Sequence, residues 1–190
     1  MSYFKRWYEV PQIKEKSFLC WSCMNNVAGD RGYFQKDTDR KIYICPNCEA
    51  PNYFNNTGTQ YPGIKYGNIV KAVPDDVFQI YEESRNCFSV NAFTGSALLS
   101  RKILMNIAVT KGAEEDKTFG FYVDWLNNKN FLPPDGKEWV DHIRKIGNQG
   151  THEIKSISKE DAEELINFCE MLLKFIFEFP ARMKENISKQ

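Results

Sequence analysis

The chain has 190 residues, 42% hydrophobic and 14% aromatic, enough for one ordinary domain or a small module beside a mid-sized one. Its 25 Lys and Arg balance its 25 Asp and Glu. That excludes a protein that coats nucleic acid through uncompensated positive charge, though not one with a local basic site. No apolar run is long enough to span a bilayer, and Met1 to Trp7 lacks the apolar core of a signal peptide. A cytoplasmic protein with no membrane partner is expected.

The first feature in chain order is a set of four cysteines. Cys20-Trp-Ser-Cys23 and Cys45-Pro-Asn-Cys48 stand 21 residues apart. In a reducing compartment two such pairs point to metal rather than to disulfides. Each C-x-x-C makes a tight knuckle that aims two thiolates at one point, and two knuckles complete a tetrahedron. This is the closed geometry of structural Zn2+. A catalytic zinc needs an open position for water, which four cysteines do not leave. A redox C-x-x-C does not account for two pairs this close. Between the knuckles an antiparallel hairpin is expected, with a strand over Lys41–Ile44. Gly29-Asp30, Gly32, Asp37 and Asp39 would supply its bends. Residues 1–56 therefore read as a zinc ribbon with an N-terminal extension. Residues 57–73, rich in Gly, Pro, Tyr and Asn, read as a linker that packs through Tyr61, Tyr66 and Ile69.

From residue 74 to 190 the pattern is helical. Pro74 before Asp75 and Asp76 starts a helix, with Val77, Ile80, Tyr81 and Ser84 on its buried face. A second helix runs from about Ala92 to Lys111, with Phe93, Ala97, Ser100, Leu104 and Ala108 inward and Gly112 at its end. A third covers about Thr118 to Lys129. A fourth starts near Gly136 and carries Trp139, Ile143 and Ile146. The last begins at Ser158, whose hydroxyl caps it. One stripe of that helix is Ala162, Leu165, Cys169, Leu172 and Ile176. A second is Phe168, Met171, Phe175 and Phe179. Two stripes mean either a central helix buried on two sides or a dimer interface. Cys87 and Cys169, at apolar helical positions, read as core residues.

The two histidines lie close together, in Trp139-Val-Asp-His142-Ile-Arg144-Lys-Ile-Gly147-Asn148-Gln-Gly150-Thr-His152. Arg144, Asn148 and His152 fall four residues apart, so a continuous helix would line them up as one polar stripe. Gly147 and Gly150 each disfavour a helix interior by roughly 1 kcal/mol, so close approach of another helix or a ligand is expected there. Two readings are open. An arginine, a histidine and an asparagine can hold a phosphate, move a proton and orient either. The same groups can instead satisfy one another at a helix crossing.

Several stretches then fall into a recognisable order: Val73-Pro74-Asp-Asp-Val77, Tyr81-Glu82-Glu83-Ser84-Arg85-Asn86-Cys87, Ser100-Arg101-Lys102-Ile-Leu104, Leu132-Pro133, and Ile143-Arg144-Lys-Ile-Gly147-Asn148-Gln-Gly-Thr-His152. Over about residues 73 to 180 the chain resembles the domain of unknown function 4145 family, within the HEPN group (higher eukaryote and prokaryote nucleotide-binding). The resemblance implies a mainly α protein: an HEPN-like helical bundle, often dimeric, behind a small β zinc ribbon. It implies bacterial defence, restriction or toxin systems. Active members of the wider group are metal-independent RNases that carry R-N-x-x-x-H. Two copies of that motif meet across a dimer cleft, and the 2′-hydroxyl attacks its own phosphate. Asn148 and His152 match the end of that motif. Gly147 stands where its arginine would be, and Arg144 lies one turn earlier on the same face. The resemblance thus implies an endoribonuclease using Arg144, Asn148 and His152 in a homodimer. The alternative expectation is a non-catalytic zinc-ribbon and helical adaptor that binds a protein partner or nucleic acid. Residues 74–190 hold no glycine-rich phosphate loop after a strand, so a metabolic enzyme has no motif behind it.

Overall fold

Alternation along residues 12–61 builds five short strands: β1 (Gln12–Leu19), β2 (Asn26–Phe34), β3 (Lys41–Ile44), β4 (Pro51–Phe54) and β5 (Gln60–Tyr61). They form one antiparallel sheet in the order β1-β2-β3-β4-β5. The structure is a computed structural model that describes residues 6–132, 141–143, 145 and 156–188. It falls into two units, residues 1–65 and 66–190.

In the first unit the period of two decides what meets what. Phe18 lies two residues before Cys20, and Tyr43 two before Cys45, so rings and first cysteines share one face. Phe54 joins them from β4. The three rings pack with centroids 5.5 to 5.7 Å apart, in tilted and edge-on contacts. The opposite face carries Ile44, fully buried under Val10 and Trp7. Beyond Ile44 that face is open. Tyr33, Ile42, Tyr53 and Tyr61 stand opposite one another across four strands, three of them 37% exposed.

Strand β3 spans the residues expected, and Asp37 and Asp39 lie in the turn before it. Gly29, Asp30 and Gly32, expected as bends, lie within β2 instead. The glycines there make room. A Cβ on Gly29 would come within 2.9 Å of the Phe18 ring, and one on Gly32 within 1.9 Å of the Ile42 carbonyl oxygen.

The second unit is helical. Helix α1 (Asp75–Ser89) packs against α2 (Phe93–Thr110) through small polar residues. The buried Ser84 hydroxyl lies 2.9 Å from the Ser96 carbonyl, 3.1 Å from its hydroxyl and 3.0 Å from that of Ser100. Mutual satisfaction lets these polar atoms be buried while the helices come close. Gly112, at φ 103°, closes α2. Helix α3 (Phe119–Asn128) is capped by the Thr118 hydroxyl, which accepts from the Phe121 N–H. Helix α4 (Lys159–Leu173) is capped in the same way by Ser158. Residues 141–143 are helical and Ile143 is fully buried, while Trp139 and Ile146 lie outside the described residues.

The last helix is not one uninterrupted α-helix. A π turn (Lys174–Glu178) joins α4 to α5 (Phe179–Ile187). The Phe179 N–H reaches back five residues to the Lys174 carbonyl, and the next residue, Pro180, has no N–H to donate. The register thus slips where the donor is missing. Ala162, Leu165, Cys169, Leu172 and Ile176 are buried as expected. The second stripe divides: Phe168 is buried, Met171 half-buried, and Phe175 and Phe179 about half exposed.

Residues 57–73 also divide. Gln60 and Tyr61 add β5 to the sheet, while Tyr66, Gly67 and Asn68 are held by the helical unit. Ile69, expected to pack, is 68% exposed. Arg85 is 4% exposed and donates to the carbonyls of Tyr66 (2.9 Å) and Gly67 (2.7 Å), with Glu82 as its ion partner. Glu170 accepts from the Asn68 N–H (2.7 Å) and side-chain amide (3.0 Å) and pairs with Lys174. The Tyr81 hydroxyl donates to the Asn68 carbonyl at 3.0 Å. Gly67, at φ 75°, is required here, because a Cβ would lie 2.8 Å from both Ile166 and the Tyr81 hydroxyl.

Burial pushes the Glu170 carboxyl up, but Lys174 and the two bonds from Asn68 outweigh it and hold the group below its usual range. A depressed pKa means that the carboxylate stabilises the fold above the unfolded value, about 4.3, and that this is lost as pH falls through the folded value. Glu170→Ala removes a charged acceptor that takes two hydrogen bonds from Asn68 and is expected to cost about 1–3 kcal/mol. Urea unfolding near neutral pH measures the cost, and faster amide exchange at Asn68 should accompany it.

Candidate metal centre

Two hairpin ends carry the four cysteines. Cys20 to Cys23 connect β1 to β2, and Cys45 to Cys48 connect β3 to β4. The knuckles repeat one backbone design. The Cys20 N–H donates to the Asn25 carbonyl (3.0 Å) and the Met24 N–H returns to the Cys20 carbonyl (2.9 Å). In the second knuckle the Cys45 N–H donates to Ala50 (3.0 Å) and the Glu49 N–H to Cys45 (2.9 Å). The residue after each second cysteine turns left-handed, Met24 at φ 56° and Glu49 at φ 63°. Neither is glycine, so this turn has no signature in the residues themselves.

All four sulfurs lie within 4.8 Å of one another, with Cys20 and Cys48 at 3.7 Å and Cys23 and Cys45 at 3.8 Å. A tetrahedron with metal–sulfur bonds of about 2.3 Å has edges of about 3.8 Å. The four thiols thus fit one tetrahedral metal ion. Among the described residues they are the one group of three or more His, Cys, Asp or Glu side chains placed to share a metal. Cys20 and Cys45 are fully buried and Cys23 and Cys48 half-buried, and four thiolates would fill a tetrahedral shell and leave no open position for substrate.

The electrostatics fit a cation as well. Burial pushes the Cys45 thiol up to about 12 and raises that of Cys48. At Cys23 burial also acts upward, but the Asn47 side chain, the Asn25 backbone and then the neighbouring thiols bring the group down to about 6. A divalent ion supplies the positive charge that holds all four as thiolates.

Asn52 is a supporting residue that the sequence reading missed. It is fully buried, and its side-chain amide lies 3.7 Å from the Cys20 sulfur and donates to the Ala50 carbonyl at 2.9 Å. Its oxygen accepts from the Trp21 N–H (3.3 Å) and the Gln60 amide (3.1 Å). Its signal was alternation: two residues before Phe54, a strand places Asn52 on the inward face. Trp7 and Trp21 brace the second knuckle by donating indole N–H bonds to the carbonyls of Glu49 and Pro51, each at 2.8 Å.

The other expected site residues, Arg144, Asn148 and His152, lie outside the described residues. The nearby His142 is described, with its Nε2 2.6 Å from Glu164 Oε2 on α4. Of the two remaining cysteines, Cys169 is buried against the Ser100 carbonyl (3.5 Å), with its thiol pushed up to about 12, while Cys87 is half-buried.

A four-thiol ribbon and a helical unit define this protein's class: a β module whose cysteine cluster could hold a metal ion, joined to an α domain. The profile of the domain of unknown function DUF4145 matches residues 82–190, more than half of the chain, and the chain belongs to that family. No curated protein and no solved structure gives a significant match.

Removal of the metal with a strong chelator is expected to unfold the sheet of residues 12–61 while the far-UV signal of the helices persists. Loss of both together would mean that the units are not independent. Asn52→Ala should weaken metal affinity about 10-fold or more, because partners of metal ligands orient and polarise them. A competition titration against a chromophoric chelator reads this directly.

Proposed function

We propose that this is a nucleic-acid-associated protein of the bacterial defence or toxin type, acting in the cytoplasm. On this reading a structural Zn2+ organises the ribbon, and the helical unit is an HEPN-like domain with metal-independent endoribonuclease activity. The observation that carries the proposal is the segment Ile143-Arg144-Lys-Ile-Gly147-Asn148-Gln-Gly-Thr-His152 within the span that matches the family. Arg144 would hold the scissile phosphate and stabilise its developing charge, and Asn148 would orient it. His152 would take the proton from the ribose 2′-hydroxyl or give one to the leaving 5′-oxygen. The products would be a cyclic phosphate and a free 5′-hydroxyl. The reading requires two copies, so that two His152 side chains serve one cleft.

The open ribbon face supports association with nucleic acid. Bases stack on exposed aromatic rings whatever their sequence, and Tyr33 and Tyr61 offer such rings on one face, with the half-buried Tyr53 between them. The zinc assignment rests on the donor set: four thiolates at tetrahedral spacing suit Zn2+, and a filled shell suits a structural role. A second reading, a non-catalytic adaptor for a protein partner or nucleic acid, is favoured by Gly147 at the position of the motif arginine.

The test is incubation of the zinc-loaded chain with RNA in the absence of Mg2+ and Mn2+. Cleavage that leaves 2′,3′-cyclic phosphate ends is expected, and His152→Ala should slow it about a hundredfold or more. A folded, dimeric wild-type chain that leaves RNA intact would contradict the nuclease and favour the adaptor.

A further inference from the structure

The open face of the ribbon carries two rows of side chains set by the sheet register. Tyr33, Ile42, Tyr53 and Tyr61 stand opposite one another on β2, β3, β4 and β5. The next row on that face lies two residues along each strand. The Gln35 N–H donates to the Arg40 carbonyl (3.1 Å) and the Asn55 N–H to the Thr59 carbonyl (3.0 Å). The register therefore continues through Gln35, Arg40, Asn55 and Thr59. The first row supplies rings. Tyr33 and Tyr61 are each 37% exposed, and the rings of Tyr53 and Tyr61 lie 6.2 Å apart. The second row supplies an exposed guanidinium, and Arg40 is in no ion pair among the described residues. Neither row contains a carboxylate, while Asp37 and Asp39 lie beyond, in the turn. At the other border the Arg31 guanidinium lies 3.4 Å from the Val10 carbonyl.

The charge of the unit agrees. Residues 1–65 carry nine Lys and Arg against six Asp and Glu, and residues 66–190 carry 16 against 19. The balance of the whole chain thus conceals a cationic ribbon. A four-thiolate zinc site would offset part of that excess, but it sits at the knuckles, at the other end of the strands from Arg40.

We infer that this face holds a single strand of RNA, with bases stacked on Tyr33 and Tyr61 and a phosphate on Arg40. The inference rests on the proposed association with RNA and deepens it by naming the contacts. Four strands about 4.8 Å apart and two rows about 7 Å apart make a patch of roughly 15 by 7 Å. A stable protein interface covers about 800 Å² per partner, so the patch is far too small for one. It suits a strand, since a four-stranded sheet with exposed aromatics stacks roughly two or three bases. Duplex RNA does not fit, because its bases stack on one another and keep their faces from the tyrosines. Stacking is tolerant of sequence, and so is a phosphate contact, so the strand is held without a fixed sequence.

A fluorescent 2′-O-methyl RNA dodecamer of mixed sequence tests this by anisotropy on the full zinc-loaded chain. The probe lacks the 2′-hydroxyl that the proposed cleavage needs, so binding is read without cutting. The wild type should bind at low salt, and Tyr33→Ala and Tyr61→Ala should each weaken binding about tenfold. Tyr33→Phe and Tyr61→Phe keep the rings and should bind as the wild type does. Arg40→Gln should weaken binding about threefold and flatten the slope of log affinity on log salt by about 0.7. Phe34→Ala, next along β2 but on the opposite face beside Lys41, should change nothing. Far-UV spectra and zinc content establish that each variant is folded. A wild type that leaves the probe free at about 200 µM would overturn the inference. So would alanine variants that bind unchanged, or a duplex of the same sequence that binds as tightly. A deoxy strand bound more than tenfold tighter would overturn RNA as the occupant. Natural RNA bound on this face but left intact would support the surface and count against the nuclease alone. Cleavage by a chain whose tyrosine variants bind unchanged would count against the surface alone.

Discussion

Four sulfur atoms held within 4.8 Å of one another are the constraint on which the N-terminal unit depends. The buried core there is small: Phe18, Tyr43 and Phe54 with Cys20 and Cys45 on one face, and Val10 with Ile44 on the other. A unit of 65 residues with so few buried side chains is in the size range where a hydrophobic core alone gives little margin, and a metal commonly closes the gap. The ligands are also part of the packing. Strand alternation brings Cys20 and Cys45 to the same face as Phe18 and Tyr43, so the site and the aromatic core form as one cluster. A metal ion shared by the two knuckles would fix the ends of β1 and β3, and with them the register of the strands between.

The helical unit is held differently. Its core is a continuous apolar cluster from α1 through α5's approach, and the polar groups inside it are paired rather than solvated. Ser84, Ser96 and Ser100 satisfy one another where α1 meets α2. Arg85 and Glu170 spend their bonds on the backbone of residues 66–68. Those bonds fasten an otherwise irregular segment onto two helices. Removing either charged side chain would leave part-buried polar groups of that segment without these charge-assisted bonds.

What the sequence disclosed follows from how local each signal is. The cysteines were legible because a C-x-x-C knuckle is complete within four residues. Ser158 was legible as a cap because a cap is a contact between residues three apart, whereas Thr118 was read only as the start of its helix. Strand β2 was less so: Gly29 and Gly32 look like bends until Phe18 and the Ile42 carbonyl are seen to need the space. Asn52 is a lone polar residue whose partners, Cys20, Trp21 and Gln60, are brought to it only by folding. The same holds for Gly67, which is a generic turn residue in sequence and an obligatory one beside Ile166 and Tyr81. Pro180 was a signal that the sequence reading passed over, since a proline within a helical pattern must be accommodated somewhere, and here a π turn accommodates it. The two apolar stripes of the last helix posed a choice between burial and association, and the structure divides it by position: Phe168 is inside, while Phe175 and Phe179 are outside.

The functional account combines a metal-organised ribbon with a DUF4145 helical domain, and the ribbon's part rests on the identity of the ion and its shell. X-ray absorption at the zinc edge of the purified chain measures both. The account predicts one zinc per chain, bound by four sulfurs at about 2.3 Å with no lighter ligand. A shell containing oxygen or nitrogen, or a different metal in the site, would contradict it.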